Sequence, residues 1–211
     1  MGNLSATKKR RLHRANRQAV KAKMDKRIEA ETAFAFKQQK FMETHVAAMV
    51  RHICQNIPVV MLGWSYPKKP REGYPYLELC NHAGDVMYVY GAPYATKPDD
   101  IAGVKMAAEI NLECTIDIPT RDFDVPDMET FSKGITQALE ILVNKGEIFV
   151  GCMGGIGRTG LALAGICKLH DKLFHQTVRP AVDYRNHIRS KVHPHAIETK
   201  QQLDFIDSYN P

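Results

Sequence analysis

Apolar residues fall along the chain in short segments separated by polar and turn-forming ones, and the spacing changes from one segment to the next. Residues 75–80, PYLELC, and 86–93, VMYVYGAP, are rich in β-branched and aromatic residues and bounded by Asn, Gly and Pro, which predicts two strands. Residues 99–110, DDIAGVKMAAEI, carry mostly good helix formers and predict a helix, and 112–119, LECTIDIP, predicts a further strand. In METFSKGITQALEILVNKG, Met128, Phe131, Ile135, Leu139 and Leu142 recur at helical spacing, with Asp127 in the position of an N-cap. EIFVGC (147–152) predicts a buried strand, and a helix is expected from about Arg158 to Phe174, with two more before the C-terminus. Strands alternating with helices point to an α/β domain with a central, largely parallel sheet flanked by helices.

Upstream, residues 55–74 are rich in Pro and Gly and predict a linking loop. Phe34, Phe36, Phe41, Met42, Val46, Met49, Val50 and Ile53 recur at mixed helical spacings, so residues 28–54 are expected to form a helix that docks on the body. The expected organisation is therefore a basic helical extension over residues 1–54 and one globular domain over residues 55–211.

Charge sharpens that division. The net charge of +6 is unevenly shared: residues 1–28 hold ten Lys and Arg against the single Asp25, a local +9, leaving 19 basic and 22 acidic residues, or −3, for the rest. A basic arm such as residues 8–27 gains affinity for phosphate backbones by releasing counterions, so a nucleic acid or another acidic surface is one candidate partner and a solvated helix the alternative. No aromatic residue interleaves the basic ones before Phe34, which leaves base stacking without support. At 44% hydrophobic content the 211 residues suit one packed domain with a tail. No stretch approaches the roughly 18 apolar residues of a spanning helix, and the basic N-terminus lacks the apolar core of a secretory signal, so a cytoplasmic location is expected. Five cysteines (Cys54, Cys80, Cys114, Cys152, Cys167), an odd number without paired short spacing, argue for reduced thiols over a disulfide framework or a zinc site.

The chemistry concentrates in residues 147–160, EIFVGCMGGIGRTG, where a buried strand breaks into glycines just before a helix. A turn of that kind points backbone N–H groups into one concavity, at the end of a helix whose dipole favours negative charge, so an anion is expected there. Gly155-Ile156-Gly157-Arg158-Thr159-Gly160 satisfies the GxGxxG pattern, but a dinucleotide fold needs another parallel strand after the helix, and HDKLFHQTVRPAVDY offers none. The nucleoside-triphosphate loop GxxxxGK[ST] fails because Arg158 replaces its lysine and Cys152 its first glycine. What remains is a cysteine ending a strand with an arginine six residues later. A thiolate is a strong nucleophile, favoured by a helix N-terminus and its N–H donors, and the planar fork of Arg158 grips two phosphoryl oxygens at once. The segment Met153, Gly154, Gly155, Ile156, Gly157 and Arg158 is thus the expected phosphate cradle, matched to the charge that spreads over three equatorial oxygens in phosphoryl transfer.

On these residues the sequence resembles the cysteine-dependent protein tyrosine phosphatase superfamily, whose signature is HCxxGxxR followed by Ser or Thr. GCMGGIGRTG matches its Cys, Gly155, Arg158 and Thr159, and GIGRTG is the form typical of tyrosine-specific members. The resemblance runs from about Tyr76 to Tyr209 and implies phosphate-ester hydrolysis through a cysteinyl-phosphate intermediate, with no cofactor or metal. It also implies a general-acid aspartate about thirty residues before the cysteine, in a loop often written DxGxP. Asp122-Phe123-Asp124-Val125-Pro126 supplies Asp122, with Asp124 and then Asp117 as alternatives. Thr159 would donate to the departing thiolate or serve as a helix-start residue. Gln202, three residues after Thr199, matches the water-positioning glutamine of tyrosine-specific members, although the same spacing makes a capping box. Gly151 departs from the family, standing where its members usually have histidine. His193 and His195 flank this last segment without the carboxylate or thiol partners of a metal site.

Phosphotyrosine is the substrate the GIGRTG form implies, with dual specificity open because the domain is as short as compact members of that kind. The uncharged loop disfavours highly phosphorylated lipids. Two alternatives stand beside a phosphoprotein phosphatase: an RNA 5′-triphosphatase whose basic arm holds RNA, and a catalytically weak module that binds phosphopeptides.

Overall fold

The computed structural model describes residues 66–67, 69–81 and 83–211. The basic arm, the docking helix expected over 28–54 and most of the linking loop lie outside the described residues.

Among the described residues five strands form one sheet in the order β1-β2-β5-β3-β4, with β1 (Tyr76–Cys80), β2 (Val86–Gly91), β3 (Gly103–Ala107), β4 (Ile116–Thr120) and β5 (Glu147–Gly151). β1 and β2 pair antiparallel; β2, β5, β3 and β4 run parallel. Side-chain alternation along the pleat sorts residues onto two faces. Leu77, Leu79, Met87, Val89, Ile148 and Val150 join the main core, whereas Tyr88, Tyr90, Phe149 and Tyr94 form an aromatic cluster of their own.

The sheet corrects one prediction. Residues 103–107, inside the segment expected to be helical, are strand β3 between β5 and β4. All five are buried, and a central parallel strand covered on both faces shows no alternation to distinguish it from a buried helical run. Lys105, Met106 and Ala107 favour helix in isolation, but pairing with two neighbours overrides that weak preference.

Among the described residues four helices flank the sheet: α1 (Met128–Lys145), α2 (Gly157–His170), α3 (Ala181–Lys191) and α4 (Lys200–Ser208). Asp127 caps α1 as predicted, its side chain accepting from the Thr130 amide at 2.9 Å. Every residue of α2 is buried, because α1, α3 and α4 pack around it and the sheet lies beneath. The helix expected as far as Phe174 stops at His170, and Asp171–His175 continue as one π-helical turn. No strand follows α2 among the described residues, which removes the dinucleotide alternative. Among the described residues no helix is long and apolar enough to cross a membrane.

Candidate active site

The glycine loop joins the end of β5, at the centre of the sheet, to the first turn of α2, the most enclosed helix. Cys152 is the first residue past the strand and is buried, its amide donating to the Thr159 hydroxyl oxygen at 2.9 Å. Thr159 therefore sits across the loop from the cysteine, tying the two ends of the cradle together.

Two glycines of the loop are dictated by protein backbone. Gly155 has φ +70°, where side chains are disfavoured, and a Cβ there would lie 2.5 Å from Ala92 C and Pro93 N. A Cβ at Gly151 would lie 2.7 Å from the Ala92 carbonyl oxygen and from Tyr94 Cα, so residues 92–94 occupy the space that a histidine side chain would need. The departure from the family signature thus has a structural cause: this segment lies against the strand end, with the Tyr94 amide donating to the Cys152 carbonyl at 2.8 Å. At Gly154 a Cβ would make only ordinary contact with Ile156 at 3.8 Å. The two neighbours should therefore respond differently. Gly155→Ala is expected to destabilise the fold by about 1–3 kcal/mol through forced backbone strain and to cost most of the activity. Gly154→Ala should leave both nearly unchanged. Thermal melts and phosphatase assays of the two variants check this, and equal behaviour would refute it.

Arg158 is 2% exposed and heavily engaged. Its Nη1 donates to Glu109 Oε2 at 2.8 Å and to the Thr120 carbonyl at 2.9 Å, and Nη2 donates to Glu109 Oε1 at 2.6 Å. Nη2 also lies 2.9 Å from Asp122 Oδ1. Burial by itself disfavours a cation, but the hydrogen bonds that Arg158 donates to Glu109 and the nearby Cys152 and Asp122 outweigh it and raise the guanidinium above its ordinary value. Reciprocally, hydrogen bonds from Arg158 hold the Glu109 carboxyl below its usual range. Glu109 lies 49 positions before the arginine in the chain, and no local motif marks it. Its loop is held down by Lys105, whose ammonium donates to the Ile110 carbonyl at 3.0 Å and the Leu112 carbonyl at 3.4 Å and pairs with Asp117 at 3.3 Å.

The structure separates the three aspartates weighed for the acid. Asp122 meets Arg158. Asp117 points to Lys105. Asp124 is used within its own loop and by α4: its Oδ1 accepts from the Val125 amide at 2.8 Å and from Gln201 Nε2 at 3.0 Å. The same loop is pinned by Gln202, whose Nε2 donates to the Asp124 carbonyl at 3.4 Å, and by the Thr199 hydroxyl on the Phe123 carbonyl at 3.5 Å. Phe123 adopts φ 58°, a conformation uncommon outside glycine, and its side chain is 57% exposed beside Asp122.

Gln202 is fully buried and completes the capping box at the start of α4, its Oε1 accepting from the Glu198 amide at 2.9 Å. It also borders the phosphate loop, since a Cβ on Gly157 would come within 3.2 Å of Gln202 Oε1. His193 and His195 are engaged in a local turn, the His195 amide donating to His193 Nδ1 at 3.2 Å. A cavity of about 500 Å³ lies along the outer side of the loop, lined by Gly154, Gly155, Glu72, Tyr74, Pro93 and His193, with Cys152 and Arg158 outside its walls.

Residues 99–171 match the family described as "Tc-R-P: Polymorphic toxin system, DSP-PTPase phosphatase". The uncharacterized protein MJ0215 of Methanocaldococcus jannaschii is 27% identical over 150 residues, covering 62% of this chain and 87% of the relative. Among solved structures, Tk-PTP in its active form aligns with a TM-score of 0.45 at 19% identity, over 57% of this chain and 88% of that one. Kinase-associated phosphatase, with its catalytic cysteine replaced by serine, aligns with a TM-score of 0.48 at 17% identity, over 66% and 94%. The family match spans β3, the cysteine-to-arginine loop and the whole of α2, so this stretch of the chain is similar to phosphatases of the dual-specificity and tyrosine type.

Proposed function

We propose that the protein hydrolyses phosphotyrosine in proteins or peptides through a cysteinyl-phosphate intermediate, with dual specificity within its reach. One observation carries this reading: the buried guanidinium of Arg158, at the head of the helix that follows Cys152, is held through both terminal nitrogens by Glu109 and met at Nη2 by Asp122 as well. The Asp122 carboxylate stands where an oxygen of a phosphoryl dianion would be bound. An incoming phosphate would take over Arg158 and release Asp122 toward the ester oxygen.

The steps follow from that exchange. Asp122, released from Arg158, takes up a proton from solvent; the Cys152 thiolate attacks phosphorus, the bond from phosphorus to the ester oxygen breaks, and Asp122 gives that proton to the leaving oxygen. Loop N–H groups and Arg158 hold the three equatorial oxygens throughout. Water then attacks the thiophosphate, Asp122 takes its proton, the phosphorus–sulfur bond breaks and inorganic phosphate leaves. Thr159, across the loop from the cysteine, would donate its hydroxyl hydrogen to the sulfur as it departs. Gln202 is committed to its cap and to Asp124, which favours a role in holding the acid loop over one in positioning water.

Support for an aryl ester comes from the rim. Met153, next to the nucleophile, and Phe123, next to the acid, are 56% and 57% exposed, and they offer apolar contact to a flat ring. No Lys or Arg stands between Met153 and Gly157 to meet further phosphates.

The deciding experiment incubates the protein, with chelator present, with phosphotyrosine, phosphoserine and phosphothreonine peptides and with triphosphate-ended RNA, and measures released phosphate. Turnover of the phosphotyrosine peptide well above the RNA is expected; the reverse would establish the RNA triphosphatase, and binding without turnover a phosphopeptide module. Glu109→Gln should lower kcat/KM about 10-fold or more, because Arg158 loses the ion pair that orients its fork. An unchanged kcat/KM would remove Glu109 from the site's machinery.

A further inference from the structure

A second cluster of chemically capable side chains lies at the far end of α2, about 20 Å along the helix from the phosphate loop at a rise of roughly 1.5 Å per residue. His170, the last residue of α2, is 1% exposed. Its Nε2 lies 2.8 Å from the Cys80 carbonyl at the end of β1, a distance that puts the ring proton on Nε2 and turns the Nδ1 lone pair inward. Nδ1 finds no hydrogen-bond partner among the described residues. It faces Asp171 Oδ1 at 3.7 Å, too far for a hydrogen bond, so two buried acceptors confront each other.

The other oxygen of Asp171 is fully committed, Oδ2 accepting from Arg179 Nε at 2.9 Å and from the Tyr184 hydroxyl at 3.0 Å. Oδ1 is thereby aimed at His170. The π-helical turn Asp171–His175 then matters, because its wider i to i+5 spacing stacks Phe174 on His170 and brings His175 edge-on to it, with the two imidazole centroids 5.2 Å apart. One ligand atom from each of His170, Asp171 and His175 lies within 4.8 Å of the others.

We propose that His170, Asp171 and His175 form a binding site for a divalent transition ion of the zinc class, separate from the phosphate loop. Two imidazoles and a carboxylate are donors that such ions accept, and arms of about 2.0–2.2 Å would need a small contraction of the His170–Asp171 pair and an inward swing of the exposed His175 side chain. The outer partners have the form usual around metal ligands: the bonding histidine donates its other nitrogen to a carbonyl, and the ligating carboxylate is itself hydrogen-bonded. The helix C-terminus also favours a cation. Such an ion would lock together the end of β1, the end of α2 and the start of α3, through Cys80, Asp171 and Tyr184.

The test uses the full chain carrying Cys152→Ser, so that the loop thiol does not compete, with and without His175→Ala. His175 is exposed, so its removal should leave the metal-free fold intact. Equilibrium dialysis should find Zn²⁺ bound by the parent, with affinity reduced at least about 100-fold by His175→Ala and about 10- to 100-fold by Tyr184→Phe. Co²⁺ should give the visible absorption of a low-coordinate nitrogen and oxygen site in the parent alone, and Zn²⁺ should raise the melting temperature of the parent alone. A protonated His170 paired with Asp171 would also relieve the confrontation, but it makes no use of His175. Equal Zn²⁺ affinity in the two proteins, or no binding in either, would therefore overturn the proposal.

Discussion

Cys152→Ser is expected to reduce turnover of an aryl phosphate at least about 10⁴-fold while leaving phosphopeptide binding within a few-fold of the parent. The reason lies in the division of labour within the loop. In the proposed mechanism binding falls to backbone N–H groups and to Arg158, which Glu109 and the Thr120 carbonyl hold in place. The covalent step in that mechanism falls to the sulfur, and a weakly acidic serine hydroxyl does not replace a thiolate. Serine is small enough for the buried space of Cys152, so loss of folding should not confuse the outcome. Calorimetric titration with a phosphotyrosine peptide, run beside the kinetic assay, checks both halves. Retained turnover would end the cysteinyl-phosphate mechanism.

Asp122→Asn should cost about 10²- to 10⁴-fold in kcat for phenyl or alkyl phosphates and far less for esters whose leaving group departs without a proton. A plot of rate against leaving-group acidity separates general-acid catalysis from mere loss of structure, since a damaged fold slows every ester alike. The substitution has a second, opposite consequence. Asp122 shares Arg158 with the expected substrate, so removing its charge removes a competitor for the guanidinium, and KM should fall or hold while kcat drops. A rise in KM with kcat unchanged would show that Asp122 only helps to bind substrate.

Residue type and spacing along the chain already singled out the expected nucleophile, arginine and phosphate cradle, and carried the α/β class. All of these arise from contacts within a few residues, where a strand end, a tight loop and a helix start are local features. The cap at Asp127 and the box at Thr199 and Gln202 were legible for the same reason. Strand β3 was not. Its five residues carry no period, and what makes them a strand is the presence of β5 and β4 on either side.

Three further features exist only because the chain folds back on itself. Glu109 reaches Arg158 from a loop whose position depends on Lys105 in β3. Position 151 has no room for a histidine because residues 92–94, 57 to 59 positions earlier, lie against it. The His170, Asp171 and His175 cluster needs the carbonyl of Cys80 and the hydroxyl of Tyr184 to aim its donors. Sequence by itself determined which atoms could do chemistry; tertiary structure decided which of them meet, because pairing between distant segments depends on burial and register that no local window contains.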